Sequence, residues 1–484
     1  MADIEYRGAK QLVEAMRAKE FGSGELLDHY LGRVEAHNGT INAVVATDIE
    51  AARARAEAAD AATARGESWG PLHGLPITIK DTFEVVGMPC TAGAPELKDH
   101  VPARHATSVE RLIEAGAIVY GKTNTPIWAG DLQSYNDVYG TTNNPWDLGR
   151  APGGSSGGSA ASLASGFTAL ELGSDIGGSI RNPAHFCGVT GLKPSFGIVP
   201  IRGHIPGPPG NLSGADIGVA GPLARNVEDL ELALDVLAGA DEFDAPGWKL
   251  DLAKPRRERV ADYRVAVWSD DAFCEVDREI AALIEQAGDA LASAGATVAR
   301  DARPDIDMAE SHEIYYSLLA GELGAGLPEG LRRRLRDSPP DADDNSHAGI
   351  FARAAVMDHA AWIALNERRA RLREVWRQFF GEHDVLLCPV MPRSAIPHDH
   401  SKDFQGRKVT INGKSRDYTD MIVWCGMTCG AYLPAAVVPI GMTSEGLPVG
   451  VQIVANFLED RTALDVARHL EAALGGFRRP PMFA

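Results

Sequence analysis

Three short stretches of the chain carry residue types suited to hydrolytic chemistry. The first is Gly153-Gly154-Ser155-Ser156-Gly157-Gly158-Ser159, where flanking glycines free the backbone and leave the serine hydroxyls accessible. A phosphate-cradling loop would end in Gly-Lys-Ser/Thr, which is absent. The pattern G-x-S-x-G occurs twice, centred on Ser155 and on Ser156. The nucleophile elbow it marks must follow a buried strand, and residues 144–152 are rich in turn formers instead. A flexible surface loop is the plain alternative. The second stretch is Gly173-Ser174-Asp175-Ile176-Gly177-Gly178-Ser179-Ile180-Arg181. Successive N–H groups through Ile176, Gly177 and Gly178 could converge on one point, as a developing oxyanion requires, with Ser179 next in line as a nucleophile. The third is Lys80, behind the apolar Ile77-Thr78-Ile79. Lysines beside strands ordinarily reach solvent. A buried one loses its proton more readily and becomes a neutral amine base.

The elements that must hold these stretches read as α/β. Residues 75–81 form a short β-branched strand, and Thr107-Ser108-Val109-Glu110 has the spacing of a capping box opening a helix to about residue 115. Residues 117–120 return to strand, and strand, helix, strand at this spacing predicts a largely parallel sheet. Asn226 caps a helix over residues 230–238, residues 264–268 form a strand and residues 279–294 a helix. Strands at 385–387, 436–438 and 449–453 precede a last helix from Asp460. No charge occurs between residues 151 and 170. The sharpest change of composition lies at about 305–350, where Leu331-Arg332-Arg333-Arg334-Leu335-Arg336 runs into Pro339, Pro340 and an acidic stretch. It reads as a helical insertion or lid, with a solvated charged face as the alternative. With no repeat and no long linker, residues 1–484 read as a single large α/β domain on a mixed, mostly parallel, twisted open sheet.

Composition narrows the function classes. The chain has 484 residues, 45% hydrophobic, which excludes a disordered, collagenous or coiled-coil protein. Forty-seven basic against 66 acidic residues leave a net charge of -19. So acidic a surface repels phosphate backbones and anionic lipid, so neither nucleic acid nor membrane is expected as a partner. Six scattered cysteines without a C-x-x-C pair read as reduced thiols. His398-Asp399-His400 lacks a third ligand, so no metal is implied. The first twenty residues have acids throughout and no apolar core of a secretory signal. Residues 421–442 are long enough to span a bilayer, but their prolines and glycines break them into pieces of buried core. A cytoplasmic enzyme is expected.

Taken as a set, the motifs resemble the amidase signature family, the Ser-cisSer-Lys hydrolases, over nearly the whole chain. The matching residues are Gly74-Leu75-Pro76-Ile77-Thr78-Ile79-Lys80-Asp81, Gly121-Lys122-Thr123-Asn124, Asn144-Pro145-Trp146-Asp147, Pro152 to Ser159, Asp175 to Pro183, Gly191-Leu192-Lys193-Pro194, Gly221-Pro222-Leu223-Ala224-Arg225 and Gly446 to Gln452. The resemblance implies a single α/β/α sandwich and no cofactor. It implies Ser179 as nucleophile, Ser155 as bridging serine behind a cis Gly154–Ser155 peptide, and Lys80 as base. It also implies an oxyanion hole from the N–H groups of Ile176, Gly177, Gly178 and Ser179. Ser156, Asp175 and Arg181 are expected to organise the turn by hydrogen bonds, as Ser159 is. An ordinary lysine titrates near ~10.4, so the pKa of Lys80 must fall by more than ~3 for most of it to be neutral near pH 7. Asp81 would oppose that, but strand alternation turns it to the other side.

The substrate is read from the segment around Ile422. Glutamine-dependent members of the family, the A subunits of tRNA amidotransferases, hold the charged end of glutamine there with an acidic residue. Here Met421-Ile422-Val423-Trp424-Cys425-Gly426-Met427 has nothing ionised closer than Asp420. That favours an apolar or aryl small-molecule amide, anilide or carbamate, with Trp128, Ile205 and Ile422 as pocket walls. The expected activity is that of an amidase on carbon–nitrogen bonds other than peptide bonds (EC 3.5.1-like), with urethanase or esterase side activity and a homodimer left open. The alternatives are a glutamine-hydrolysing component of a tRNA amidotransferase, a nitrilase-type site at Cys187, and an inactive binding protein.

Overall fold

In the computed structural model, which describes residues 3–483, eleven strands form one sheet. They are β1 (Val44–Thr47), β2 (Pro76–Lys80), β3 (Ile118–Thr123), β4 (Leu170–Asp175), β5 (Thr190–Lys193), β6 (Val219–Ala224), β7 (Arg264–Val267), β8 (Thr297–Ala299), β9 (Val385–Pro389), β10 (Ala435–Met442) and β11 (Pro448–Val454). Their order across the sheet is β1-β3-β2-β4-β6-β5-β10-β11-β9-β7-β8. Parallel pairing occurs on two flanks, β3/β2/β4 and β9/β7/β8, and the middle and the β1 edge are antiparallel.

The mixed α/β sheet is as expected, but its pairing is not mostly parallel. Parallel neighbours need a crossover of a dozen or more residues, usually a helix. The Thr107–Glu114 and Gly157–Ala164 helices supply such crossovers on the β2 flank. Residues 443–447, which join β10 to β11, are far too few for one, so that pair closes as a hairpin.

Both faces of the sheet are covered. In β10, Ala436 and Val438 pack into one apolar cluster and Val437 into another on the opposite face, the alternation a strand imposes. Helices Ala9–Arg17, Val227–Leu237, Arg278–Ser293 and Asp460–Leu474 bury their apolar stripes in the first cluster. The Gly157–Ala164 and Arg181–Cys187 helices lie in the second. Asn226 caps its helix as predicted, its side chain accepting from the Asp229 N–H. The capping box at Thr107 does not form: Ala106 stands at the cap and Thr107 is already helical. The apolar stretch 421–442 divides into the helix Val423–Gly430 and β10, both largely buried. Among the described residues no helix is long and apolar enough to cross a membrane.

The region singled out for its charge, residues 305–350, is helical. Met308–Gly324 is deeply buried on one side, Glu329–Asp337 has no buried residue, and His347–Ala354 packs back against the first.

Candidate active site

Lys80 ends β2 and Asp175 ends β4, its parallel neighbour, so both stand at the carboxyl edge of the sheet, where α/β proteins open their crevices. Lys80 is fully buried, and its Nζ donates to Ser155 Oγ at 2.6 Å and to Ser174 Oγ at 3.0 Å. Burial pushes the ammonium down to about 7, against a smaller opposing pull from the Asp175 carboxylate. Asp81 does face away: its carboxylate lies 3.2 Å from Lys122 Nζ, on β3, both side chains wholly buried. The buried Glu171, pushed up to about 8 by desolvation, is mostly protonated at neutrality and accepts from Thr78 and Thr123. Lys80 is therefore a buried amine with hydroxyl partners and no carboxylate in contact.

The glycine-rich stretch is core and not a surface loop. Every residue from 151 to 195 except Ile176 is buried. Gly153 has φ +89°, and a Cβ there would lie 2.6 Å from Pro183 Cα. A Cβ on Gly158 would meet Asn124 N at 2.3 Å, so only glycine lets the Gly157–Ala164 helix start against that backbone. The Gly154–Ser155 peptide is cis. Ser156 N–H donates to the Ser179 carbonyl at 3.1 Å and its Oγ to the Ser174 carbonyl at 3.4 Å, which ties the two serine segments together.

Ser155 and Ser179 line one cleft, along with Ser174, Asp175 and Ile176. Among the described residues no hydrogen bond joins the two serine hydroxyls, and Ser179 Oγ has no partner. The turn after β4 is wrapped around a carboxylate. Asp175 accepts from Gly178 N–H at 2.8 Å and Ile180 N–H at 3.0 Å, and it pairs with Arg181 Nε at 3.0 Å and Nη2 at 2.8 Å. Burial alone would raise Asp175, but the Arg181 guanidinium and these N–H groups hold it well below the usual carboxylate range. Arg181 is anchored in turn by the Cys425 carbonyl at 3.1 Å and Thr428 Oγ1 at 2.6 Å.

One part of the expected oxyanion hole is corrected. The Gly178 N–H is held by Asp175, because the carboxylate that shapes the turn needs donors of its own. The N–H groups of Ile176, Gly177 and Ser179 have no partner among the described residues.

The three expected pocket residues do not line the cleft. Trp128 and Ile205 pack together with Cys90 and Ala92 behind its wall, and Ile422 packs into the apolar clusters near Tyr315. Their chain neighbours Ala129, His204 and Pro206 face the cleft instead. At these positions the larger apolar side chain packs into an apolar cluster, and its smaller or polar neighbour is left at the opening. Trp128 and Ala129 both have positive φ, +52° and +55°, a left-handed bend that brings Ala129 to the wall. Asp175 alone among the lining side chains carries a charge at neutrality, and it is spent on Arg181; burial pushes His204 down to about 3, leaving it neutral. Asp420 is turned to Arg416, 2.8 Å away.

Ser174 and Tyr315 escaped the sequence reading. Register alone would not have shown the first: Ile79 pairs with Leu172, which sets Lys80 opposite Gly173, one residue short of Ser174. All six cysteines are buried and unbridged, and Cys187 donates to the Pro152 carbonyl at 3.3 Å with its thiol pushed up by burial, so it is no nucleophile. His347, Asp417 and Asp420 cluster within 4.8 Å, but Thr419, Lys408 and Arg416 already engage them.

A family model for amidases matches residues 25–464. The chain belongs to the amidase family, the amidase signature enzymes. As an amidase it is a hydrolase acting on carbon–nitrogen bonds. It is 33% identical to the A component of the glutamyl-tRNA(Gln) amidotransferase of Gloeobacter violaceus over 98% of both chains. Among solved structures it resembles a bacterial aryl acylamidase, at 26% identity and TM-score 0.81 over 97% of this chain and 96% of that one. It also resembles a 6-aminohexanoate cyclic dimer hydrolase, at 28% identity and TM-score 0.79 over 99% and 100%. The amidase thus shares its whole architecture with enzymes that cleave quite different molecules.

Proposed function

We propose that this amidase cleaves an uncharged small-molecule amide, anilide or carbamate through an acyl-enzyme formed on Ser179. The observation that carries the reading is the 2.6 Å hydrogen bond from a fully buried Lys80 to Ser155. Neutral Lys80 takes the Ser155 proton while Ser155 takes the proton of Ser179. Ser179 Oγ bonds to the carbonyl carbon, and the oxyanion is stabilised by the free N–H groups of Ile176, Gly177 and Ser179. The relay returns the proton to the leaving nitrogen as the C–N bond breaks. Water then attacks the acyl ester, gives its proton to the same relay, and Ser179 is released. The absence of a free ionic side chain from the cleft lining supports an uncharged substrate, since a zwitterion buried there would lack partners.

The second reading is a glutamine-hydrolysing component of a tRNA amidotransferase, and the curated relatives favour it. Their name also runs against the expectation, drawn from net charge, that no nucleic acid is involved. Hydrolysis of a panel holding p-nitroacetanilide, an aryl carbamate, p-nitrophenyl butyrate, a primary amide and glutamine separates the two. The first reading predicts that anilide or carbamate turnover exceeds glutamine turnover. Preferred glutamine hydrolysis, with co-purifying partner chains, would overturn it and leave the acyl chemistry intact.

A further inference from the structure

The Met308–Gly324 helix sends one side chain to the back of the serine turn. Tyr315 is fully buried, and its hydroxyl donates to the Ile176 carbonyl at 3.2 Å. That carbonyl shares a peptide plane with the Gly177 N–H. The Ile176–Gly177 bond is trans, so the carbonyl and the N–H point in opposite directions, and whatever fixes one aims the other. The Gly177 N–H has no protein partner among the described residues. The fit around the phenol is close. A Cβ on Gly177 would lie 2.3 Å from the Tyr315 hydroxyl oxygen, and a Cβ on Gly426 would lie 2.2 Å from its ring. The Ile176 side chain packs into the same apolar cluster as Tyr315. Burial raises the phenol well above its ordinary range, so it stays protonated and remains a donor.

We propose that Tyr315 is a positioning residue for the oxyanion cradle, its hydroxyl holding the Ile176–Gly177 peptide so that the Gly177 N–H faces the cleft. This rests on the reading of that turn as the oxyanion hole. It gives the helical segment a part in turnover without contact to substrate. At 3.2 Å the bond is long for O–H···O, so the effect is smaller than the loss of a whole oxyanion donor.

The test is steady-state hydrolysis of p-nitroacetanilide, or of p-nitrophenyl butyrate where the anilide is too slow, by parent, Tyr315→Phe and Ser179→Ala, each checked for folding. Tyr315→Phe is expected to lower kcat about ten-fold with KM changed by less than about two-fold. Unchanged kcat, or a rise in KM alone, would overturn the proposal. If Ser179→Ala is inactive while Tyr315→Phe matches the parent, only the role of Tyr315 fails. If Ser179→Ala is as active as the parent, the reading of the site fails first. A second arm measures thermal stability. Gly177→Ala is expected to lower Tm in the parent and much less in the Tyr315→Phe background, where the nearest remaining ring atom is 3.6 Å from the new Cβ. Equal losses in both backgrounds would show that the phenol does not press on this peptide and would sink the proposal.

Discussion

Residues 151–195 and residues 308–354 meet behind the serine turn but are built on opposite terms. The first segment is buried almost without a break, uses small residues, and ties its turn together through Asp175, Arg181 and the serine backbone. The second passes from a buried helix, Met308–Gly324, to Glu329–Asp337, a helix with no buried residue and arginines along its length. Chemistry is held where no side chain has freedom to move. Charge is displayed on the helix that buries nothing. Tyr315 is the exception that joins them, a residue of the second segment that reaches the turn of the first.

The largest test of this contrast is Ser179→Ala or Lys80→Ala, each expected to cut turnover by about four orders of magnitude or more while circular dichroism stays native. A Lys80→Ala enzyme with near-normal turnover at neutral pH would remove the relay from the account. Next is Asp175→Asn, which leaves the buried Arg181 unpaired. It is expected to destabilise the protein by about 3–5 kcal/mol in denaturant unfolding and to reduce activity with it. A loss below about 1 kcal/mol would mean the turn does not depend on its ion pair.

The pH dependence follows from Lys80. With its pKa down to about 7, kcat/KM is expected to rise through neutrality and level off above it. Linkage has the same sign: between about pH 7 and the ordinary lysine value the unfolded chain binds the extra proton, so stability rises with pH across that window. Below pH 7 the buried ammonium is a cost, so Lys80→Met should unfold at higher denaturant than the parent there, and a lower midpoint would contradict the burial argument. The smallest effect is expected at Arg333, exposed on the Glu329–Asp337 helix. Arg333→Glu should shift stability by less than about 0.5 kcal/mol and leave turnover unchanged. A larger loss would mean this helix is covered in the working enzyme.

Much of the fold is legible in the residues, for local reasons. β2, β7, β9, β10 and β11 lie where β-branched runs place them, and the Asn226 cap forms because a short side-chain acceptor sits beside free helix N–H groups. β4 is not legible: Leu170-Glu171-Leu172-Gly173-Ser174-Asp175 mixes two acids with a glycine and looks exposed, and its acids are buried through pairing and protonation. Most of the central antiparallel pairing is hidden too, because strands such as β4 and β6 or β5 and β10 are not consecutive in the chain and nothing local says that they meet.

The sequence by itself determined which reactive groups the chain carries: a lysine at the end of an apolar strand, two serine motifs among glycines, and an aspartate and arginine bracketing the second. That they belong together is what the family resemblance implied. Only the tertiary structure decided that the Gly178 N–H is taken while those of Ile176, Gly177 and Ser179 have no partner among the described residues. The same holds for the retreat of Trp128 and Ile205 behind Ala129, His204 and Pro206, and for a tyrosine far along the chain that backs the turn. Residue types set what chemistry is available. Which donors stay unpaired, and which side chains face the cleft, is set by packing between segments distant in the chain, where each buried polar group takes whatever partner the fold brings within reach.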